Sequence, residues 1–298
     1  MYLIKLLIYV WSVSELANKR KIIQGITTFV YNFNLKGFFT GEIYTGKLKN
    51  ACVPGLNCYS CPGAAGSCPI GALQSILGNY KYQFSFYIFG FLMLIGTILG
   101  RFVCGYLCPF GLFQELLYKI KSKKFKIKRV FVYTKYFILA IFVIALPLFH
   151  TNVIGLGDPA FCKYICPAGT IEAGIPLVLL NKPLQGIVGW LFGWKLFILI
   201  VFIIGSVFSF RPFCKLICPL GAIYSLFNKV SVFRYAFDEA KCINCNKCVE
   251  TCKMDVIPHL NVNDIECIRC GECIEVCPTN ALTQIVVLGD GKKNEEIN

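Results

Sequence analysis

The sequence predicts a polytopic α-helical membrane domain of about four spans, with an internal duplication, followed by a small C-terminal α+β domain. Three observations predict it. The 298 residues are 56% hydrophobic and only 15% charged, whereas soluble domains carry about a quarter charged residues. Several apolar runs approach the roughly 20 residues a helix needs to cross a bilayer. The 18 cysteines fall in repeated short motifs.

The C-terminal motif is the most informative. It reads Cys242-Ile-Asn-Cys245-Asn-Lys-Cys248-Val-Glu-Thr-Cys252, then Cys267-Ile-Arg-Cys270-Gly-Glu-Cys273-Ile-Glu-Val-Cys277-Pro278. This is C-x2-C-x2-C-x3-C written twice. Bacterial ferredoxins hold two [4Fe–4S] clusters with this run, the fourth cysteine of each copy serving the other cluster. The spacing therefore assigns Cys242, Cys245, Cys248 and Cys277 to one metal cluster, and Cys267, Cys270, Cys273 and Cys252 to the other. Structural zinc would need four ligands per ion and no crossed repeat. Lys253, where the first copy would carry proline, departs from the pattern. Residues 237–288 are thus expected to form a two-cluster ferredoxin-like domain, 289–298 a polar tail and 1–236 the membrane domain. Cluster ligands must remain thiolates, which places the C-terminal domain in the reducing cytosol.

In chain order, residues 2–13 are apolar but too short to cross, and suit a helix lying at the interface. Lys19, Arg20 and Lys21 then mark the inside. The first span is expected over 22–40, weakened by Gln24, Asn32, Asn34 and Lys36. An outer segment, 41–82, carries Cys52, Cys58, Cys61 and Cys68; Cys52 reads as a buried small residue. The second span, 83–103, runs into Cys104 and Cys108. Lys121, Lys123, Lys124, Lys126, Lys128 and Arg129 form a basic inner loop. The third span covers 130–149 and leads to an outer loop with Cys162 and Cys166. Ile175 to Leu180 is too short to cross and suits a re-entrant piece. The fourth span, 187–210, has Trp190 and Trp194 at its outer end, with Lys195 close enough to snorkel, and delivers Cys214 and Cys218 to the inside. Four spans put both termini in the cytosol. The net charge of +14 is accounted for by these topology signals, so no nucleic-acid partner is expected.

Cys68, Cys108, Cys166 and Cys218 each begin a Cys-Pro-x-Gly element. Cys104, Cys162 and Cys214 stand four residues before the last three, while Cys61 and Cys58 precede the first. The order outer motif, span, inner motif, span occurs twice. Proline is favoured at the first helical position, which puts each cysteine at a helix N-terminus where the dipole stabilises a thiolate or an anionic cluster. Pairing by repeat gathers Cys104, Cys108, Cys214 and Cys218 into an inner cofactor site. It sets Cys162 and Cys166 against two or three of Cys58, Cys61 and Cys68 at an outer one, so one or two further Fe–S clusters are expected. An exchangeable dithiol or disulfide is the rival for the outer set, a redox-active dithiol for the inner.

Together these motifs, over roughly residues 83 to 280, resemble the NapH/NosR-like family of membrane polyferredoxins. The resemblance implies an electron-transfer component of an oxidoreductase system, moving electrons between a cytosolic carrier and a membrane or extracytoplasmic partner. An assembly or regulatory factor for another metalloprotein, and a transmembrane thiol–disulfide relay, are the alternatives. A 20-residue span rises about 30 Å, so a direct path between inner and outer sites requires the outer motifs to reach inward as broken helices do. Haem is disfavoured, because His150 and His259 are the only histidines.

Overall fold

The computed structural model describes residues 13–79, 85–150, 156–287 and 295–296. The expected interfacial helix over 2–13 lies outside them save for Val13. So does the polar tail, save for Glu295–Glu296, which pair with Val286 and Ile285.

Helix α1, Val13–Tyr31, replaces the apolar span expected over 22–40. Its polar residues face the protein. Arg20 pairs with Glu115 at 2.7 Å and Glu272 at 3.0 Å, and Gln24 Nε2 donates to Gly105 O at 2.7 Å. Ile22, Ile26, Phe29 and Val30 point outward and are exposed. Arg20 is therefore a buried anchor within the helix rather than a mark on a loop.

Helix α2, Pro69–Gly78, precedes α3, Tyr87–Leu99. With 13 residues, α3 rises about 20 Å and stops short of the expected limit at 103. Gly100 ends it at φ 54°, where a Cβ would stand 2.9 Å from Asn228 Oδ1. The short α4, Phe102–Tyr106, and α5, Pro109–Tyr118, follow. Helix α6, Arg129–Phe149, is one of two described helices long and apolar enough to cross a membrane. After α7, Ala160–Tyr164, helix α8 occupies Pro167–Leu180, so the apolar patch at 175–180 is the end of a continuous helix. The second candidate span is α9, Trp190–Phe208. Wide π turns at Leu139–Ala145 and Thr170–Gly174 stop two residues before Pro147 and Pro176. Proline lacks the N–H that α-helical bonding needs, and a π turn absorbs the fault.

Helices α10, Pro212–Leu216, and α11, Pro219–Phe227, lead into strand β1, Phe233–Phe237. Antiparallel pairing of β1 with β2, Leu282–Val286, closes the C-terminal domain, which thus begins about four residues before 237. It joins the helices through a shared apolar core that includes Met254, Val256 and Ile268, and through polar contacts. Glu266 accepts from Arg101 at 2.8 Å and pairs with Lys135. Asn228 Nδ2 donates to Asp264 O and Cys267 O, both at 2.8 Å, and Lys215 pairs with Asp255 at 2.6 Å.

Arg101 and Lys135 are fully buried, so removing their shared carboxylate strands two cations. Glu266→Ala is expected to cost about 3–5 kcal/mol and to release the C-terminal domain to protease. Arg129→Ala breaks an ion pair to Asp264 whose arginine is 57% exposed, and should cost less than about 1 kcal/mol. Denaturant unfolding compares the two.

Candidate functional site

All four Cys-Pro cysteines cap helices. Cys68, Cys108, Cys166 and Cys218 are extended, and the proline after each occupies the first helical turn. The motif's glycine approaches the sulfurs. Its N–H reaches back to the capping sulfur, at 3.4 Å from Gly221 N to Cys218 Sγ, with Gly71 and Gly169 doing the same for Cys68 and Cys166. In the outer set its Cα also lies beside a thiol of the partner pair. A Cβ at Gly71 would stand 3.9 Å from Cys162 Sγ, and one at Gly169 3.5 Å from Cys58 Sγ.

The inner four cysteines come together. Cys218 feels Cys214, Cys104 and Cys108 as charged neighbours, and all four are buried. The outer set also gathers: Cys166 neighbours Cys162, Cys58 and Cys68. Cys61 stands apart, its thiol directed at Asn32 Oδ1 at 3.6 Å. Cys52 is buried beside Cys68.

The two sets are adjacent. Gly55 packs against Leu107 O and Cys108 Cα. The N–H of Leu56 serves Cys108 and that of Asn57 serves Cys68. Tyr224, which donates to Pro54 O at 3.0 Å, has Cys104, Cys68 and Cys108 around it. The outer segment has thus folded inward against the inner motif.

In the C-terminal domain one cavity is lined by Cys252, Cys267, Cys270 and Cys273, and another by Cys242, Cys245, Cys248 and Cys277. His259 lines the second cavity with Nδ1 3.9 Å from Cys248 Sγ. Burial pushes the Cys277 thiol up, but the N–H groups of Leu282, Ala281 and Thr279 outweigh it and hold the thiol below its ordinary value. Burial and then Glu272 push Cys270 up to about 12. Lys253, the departure from the repeat, pairs with Glu272 at 2.8 Å. The Cys252 cavity abuts the helices, for Tyr106 OH donates to Cys270 O at 3.1 Å and Gly105 packs on Ile268 O.

Sequence reasoning missed several residues. Gln114 donates to Cys214 Sγ at 3.2 Å and accepts from Phe213 N at 3.1 Å. Gln74 treats Cys162 Sγ and Phe161 N alike, at 3.2 and 2.9 Å. Each glutamine lies six residues after its Cys-Pro cysteine, so the repeat held the signal. Glu172 holds the same place after Cys166 and accepts from Cys58 N at 2.6 Å; burial pushes its carboxyl up to about 7. Lys195, expected to snorkel outward, turns in to donate to Cys162 O at 3.2 Å. Arg101 and Arg211, each three residues before an inner cysteine, are fully buried. Burial also pushes Glu115 up, but Arg211 and Arg20 hold it below the ordinary carboxylate value.

Among the described residues, no three His, Cys, Asp or Glu side chains close on a single ion. Sulfurs arranged around a volume suit a cubane, whose four irons each take one thiolate. Buried Nε atoms of Arg101 and Arg211 lack hydrogen-bond partners, as an anionic guest would require. The donor sets fit [4Fe–4S] clusters.

Two family models described as 4Fe-4S binding domain match, one over residues 83–128, 136–176 and 190–237, the other over 260–283. An uncharacterized protein of Methanocaldococcus jannaschii is 32% identical over 170 residues, 55% of this chain and 63% of its own. Regulatory protein NosR of Stutzerimonas stutzeri is 27% identical over 55% of this chain and 22% of its own. Ferredoxin-type protein NapH of Haemophilus influenzae is 24% identical over 33% of this chain and 48% of its own. The chain therefore spans less than two thirds of these curated relatives. No solved structure matches.

Proposed function

This chain belongs to the NapH/NosR-like family of polyferredoxins, and from that premise we propose that it is a membrane-bound electron-transfer protein with four [4Fe–4S] centres in series. Cys242, Cys245, Cys248 and Cys277 hold the first, and Cys252, Cys267, Cys270 and Cys273 the second. Cys104, Cys108, Cys214 and Cys218 hold the inner centre; Cys58, Cys68, Cys162 and Cys166 hold the outer. Clusters, when bound, supply one-electron carriage. The protein holds them with thiolates, donates N–H groups to the sulfurs and excludes water. One observation carries the reading: the Cys252 cavity abuts the helix of Cys104 through Tyr106 and Gly105, and the inner motif lies against the outer segment through Gly55 and Tyr224, while Cys245 stands exposed at the far end. The shared glutamine contacts support the duplication inferred from the motifs.

The outward-facing apolar residues of α1, α3, α6 and α9 suit lipid, and the basic 121–129 loop suits the cytosolic side. A soluble cytosolic carrier then meets the C-terminal centres. A groove of about 480 Å³ beside the outer set is lined by Phe29, Phe38, Phe110 and Phe113, with Asn32, Cys61 and Glu172 at its polar side. Its shape and polarity suit a lipid-soluble redox carrier as the membrane partner. The name of one relative, a regulatory protein, supports a second reading, in which the clusters sense or mature another metalloprotein. Electron flow in sealed vesicles separates the two: no transfer between a cytosolic reductant and any membrane or outer acceptor favours the second.

Anaerobically purified protein should contain about 16 irons per chain; about 8 would confine clusters to the C-terminal domain. Changing Cys104 and Cys214 together to serine should remove about four irons and one paramagnetic signal, leaving the C-terminal pair. Gly169→Ala puts a methyl 3.5 Å from Cys58 Sγ and 4.0 Å from Cys166 Sγ. Both are ordinary van der Waals distances, so it should keep the outer irons and alter only the outer centre's paramagnetic signal, with an unchanged circular dichroism spectrum.

A further inference from the structure

The inner and outer cages share their capping cysteines, glycines and glutamines but differ in what the glycines face. At the outer cage, Gly71 and Gly169 face sulfur. At the inner cage arginine comes within reach: Gly111 faces Arg211 directly, and Gly221 faces Cys214 O at 3.4 Å with Arg101 just beyond. A Cβ at Gly111 would stand 3.0 Å from Arg211 Cζ, and one at Gly221 3.8 Å from Arg101 Nη2. The arrangement crosses over, because each arginine comes from the opposite half to the glycine it covers.

Both arginines are 0% exposed. Arg101 neighbours Cys104 and Cys214, while Arg211 neighbours Cys214, Cys108 and Cys104. Arg101 Nη1 is used on Ile265 O and Glu266, at 2.7 and 2.8 Å, yet its Nε and Nη2 have no partner. Arg211 donates to Cys104 O and pairs with Glu115 at 2.6 Å, yet its Nε has none. Their carboxylates do not cancel them, since Glu266 is shared with Lys135 and Glu115 with Arg20. Arg20 also pairs with Glu272, which Lys253 neutralises in turn, so each network keeps one net positive charge. Arg211 is held at φ 49° before Pro212, a left-handed conformation that is strained for a non-glycine residue. The surrounding structure sustains that strain and keeps the guanidinium at the cage.

We propose that Arg101 and Arg211 clamp the inner centre electrostatically and raise its reduction potential by meeting, inside the protein, the negative charge that each electron brings. The step is a one-electron reduction with no proton taken up. It adds one negative charge to a site that two fixed cations already face in a low-dielectric interior. These are positioning residues, and they ligate nothing. The proposal rests on the inner four cysteines holding a cluster.

The experiment is a redox titration of the full chain with dithionite and mediators, followed by electron paramagnetic resonance, with iron measured on the same samples. Arg101→Gln and Arg211→Gln should each disfavour reduction of the inner centre about tenfold or more, a fall of about 59 mV for one electron. The outer and C-terminal centres should keep their potentials. Arg101→Lys and Arg211→Lys, which keep the charge, should restore most of the shift. Unchanged potentials in iron-replete glutamine variants would overturn the clamp. Should a glutamine variant lose the inner iron, the lysine variant decides: retained iron with near-native potential supports the clamp, and lost iron makes the arginines structural only. An inner signal missing from the unmodified protein would instead sink the cluster reading itself.

Discussion

Two buried carboxylates hold this molecule together. Glu115 joins Arg20 of the first helix to Arg211 at the end of the last long one. Glu266 joins the C-terminal domain to Arg101 and Lys135. Each carboxylate serves two cations, and all six groups are buried. Such groups are expensive to take from water and are tolerated only when closely paired. The pairing fixes where three chain segments meet, and that meeting point is the inner cysteine cage.

Much of the site was legible in the sequence because its chemistry is local. The eight-cysteine repeat marked both C-terminal cavities, including the crossed placement of Cys252 and Cys277. Proline after cysteine marked each helix start. Repeat logic paired the inner four cysteines. Cys61 was harder to place: the spacing of Cys58, Cys61 and Cys68 cannot tell which thiol turns away, since that depends on Asn32 and the groove. Gln74 and Gln114 recur at one offset and were there to be found, but a polar residue within an apolar helix reads as a weakened span until its partner is known.

The fold was less legible, for a related reason. Hydropathy counts residues and not faces. The stretch from 22 reads as a marginal span because Gln24 and Asn32 dilute it; in the structure both reach polar partners while Ile22, Ile26 and Phe29 face out. Gly100 looked like one small residue inside a long apolar run, and only the approach of Asn228 and Arg269 reveals why the helix must stop there. Both cases depend on contacts far away in the sequence. The π turns, by contrast, could have been read from Pro147 and Pro176.

The interleaving of the halves bears on how the protein is made. Every cage in the helical part draws two cysteines from before residue 110 and two from after residue 160. A ribosome that has finished the first half has therefore produced two incomplete cups, each with two unguarded thiols. Neither can be sealed until the later pair emerges, more than fifty residues further on. On the proposed ligand sets, metallation would be a late event in the life of the chain, since neither cup has its four thiols before then.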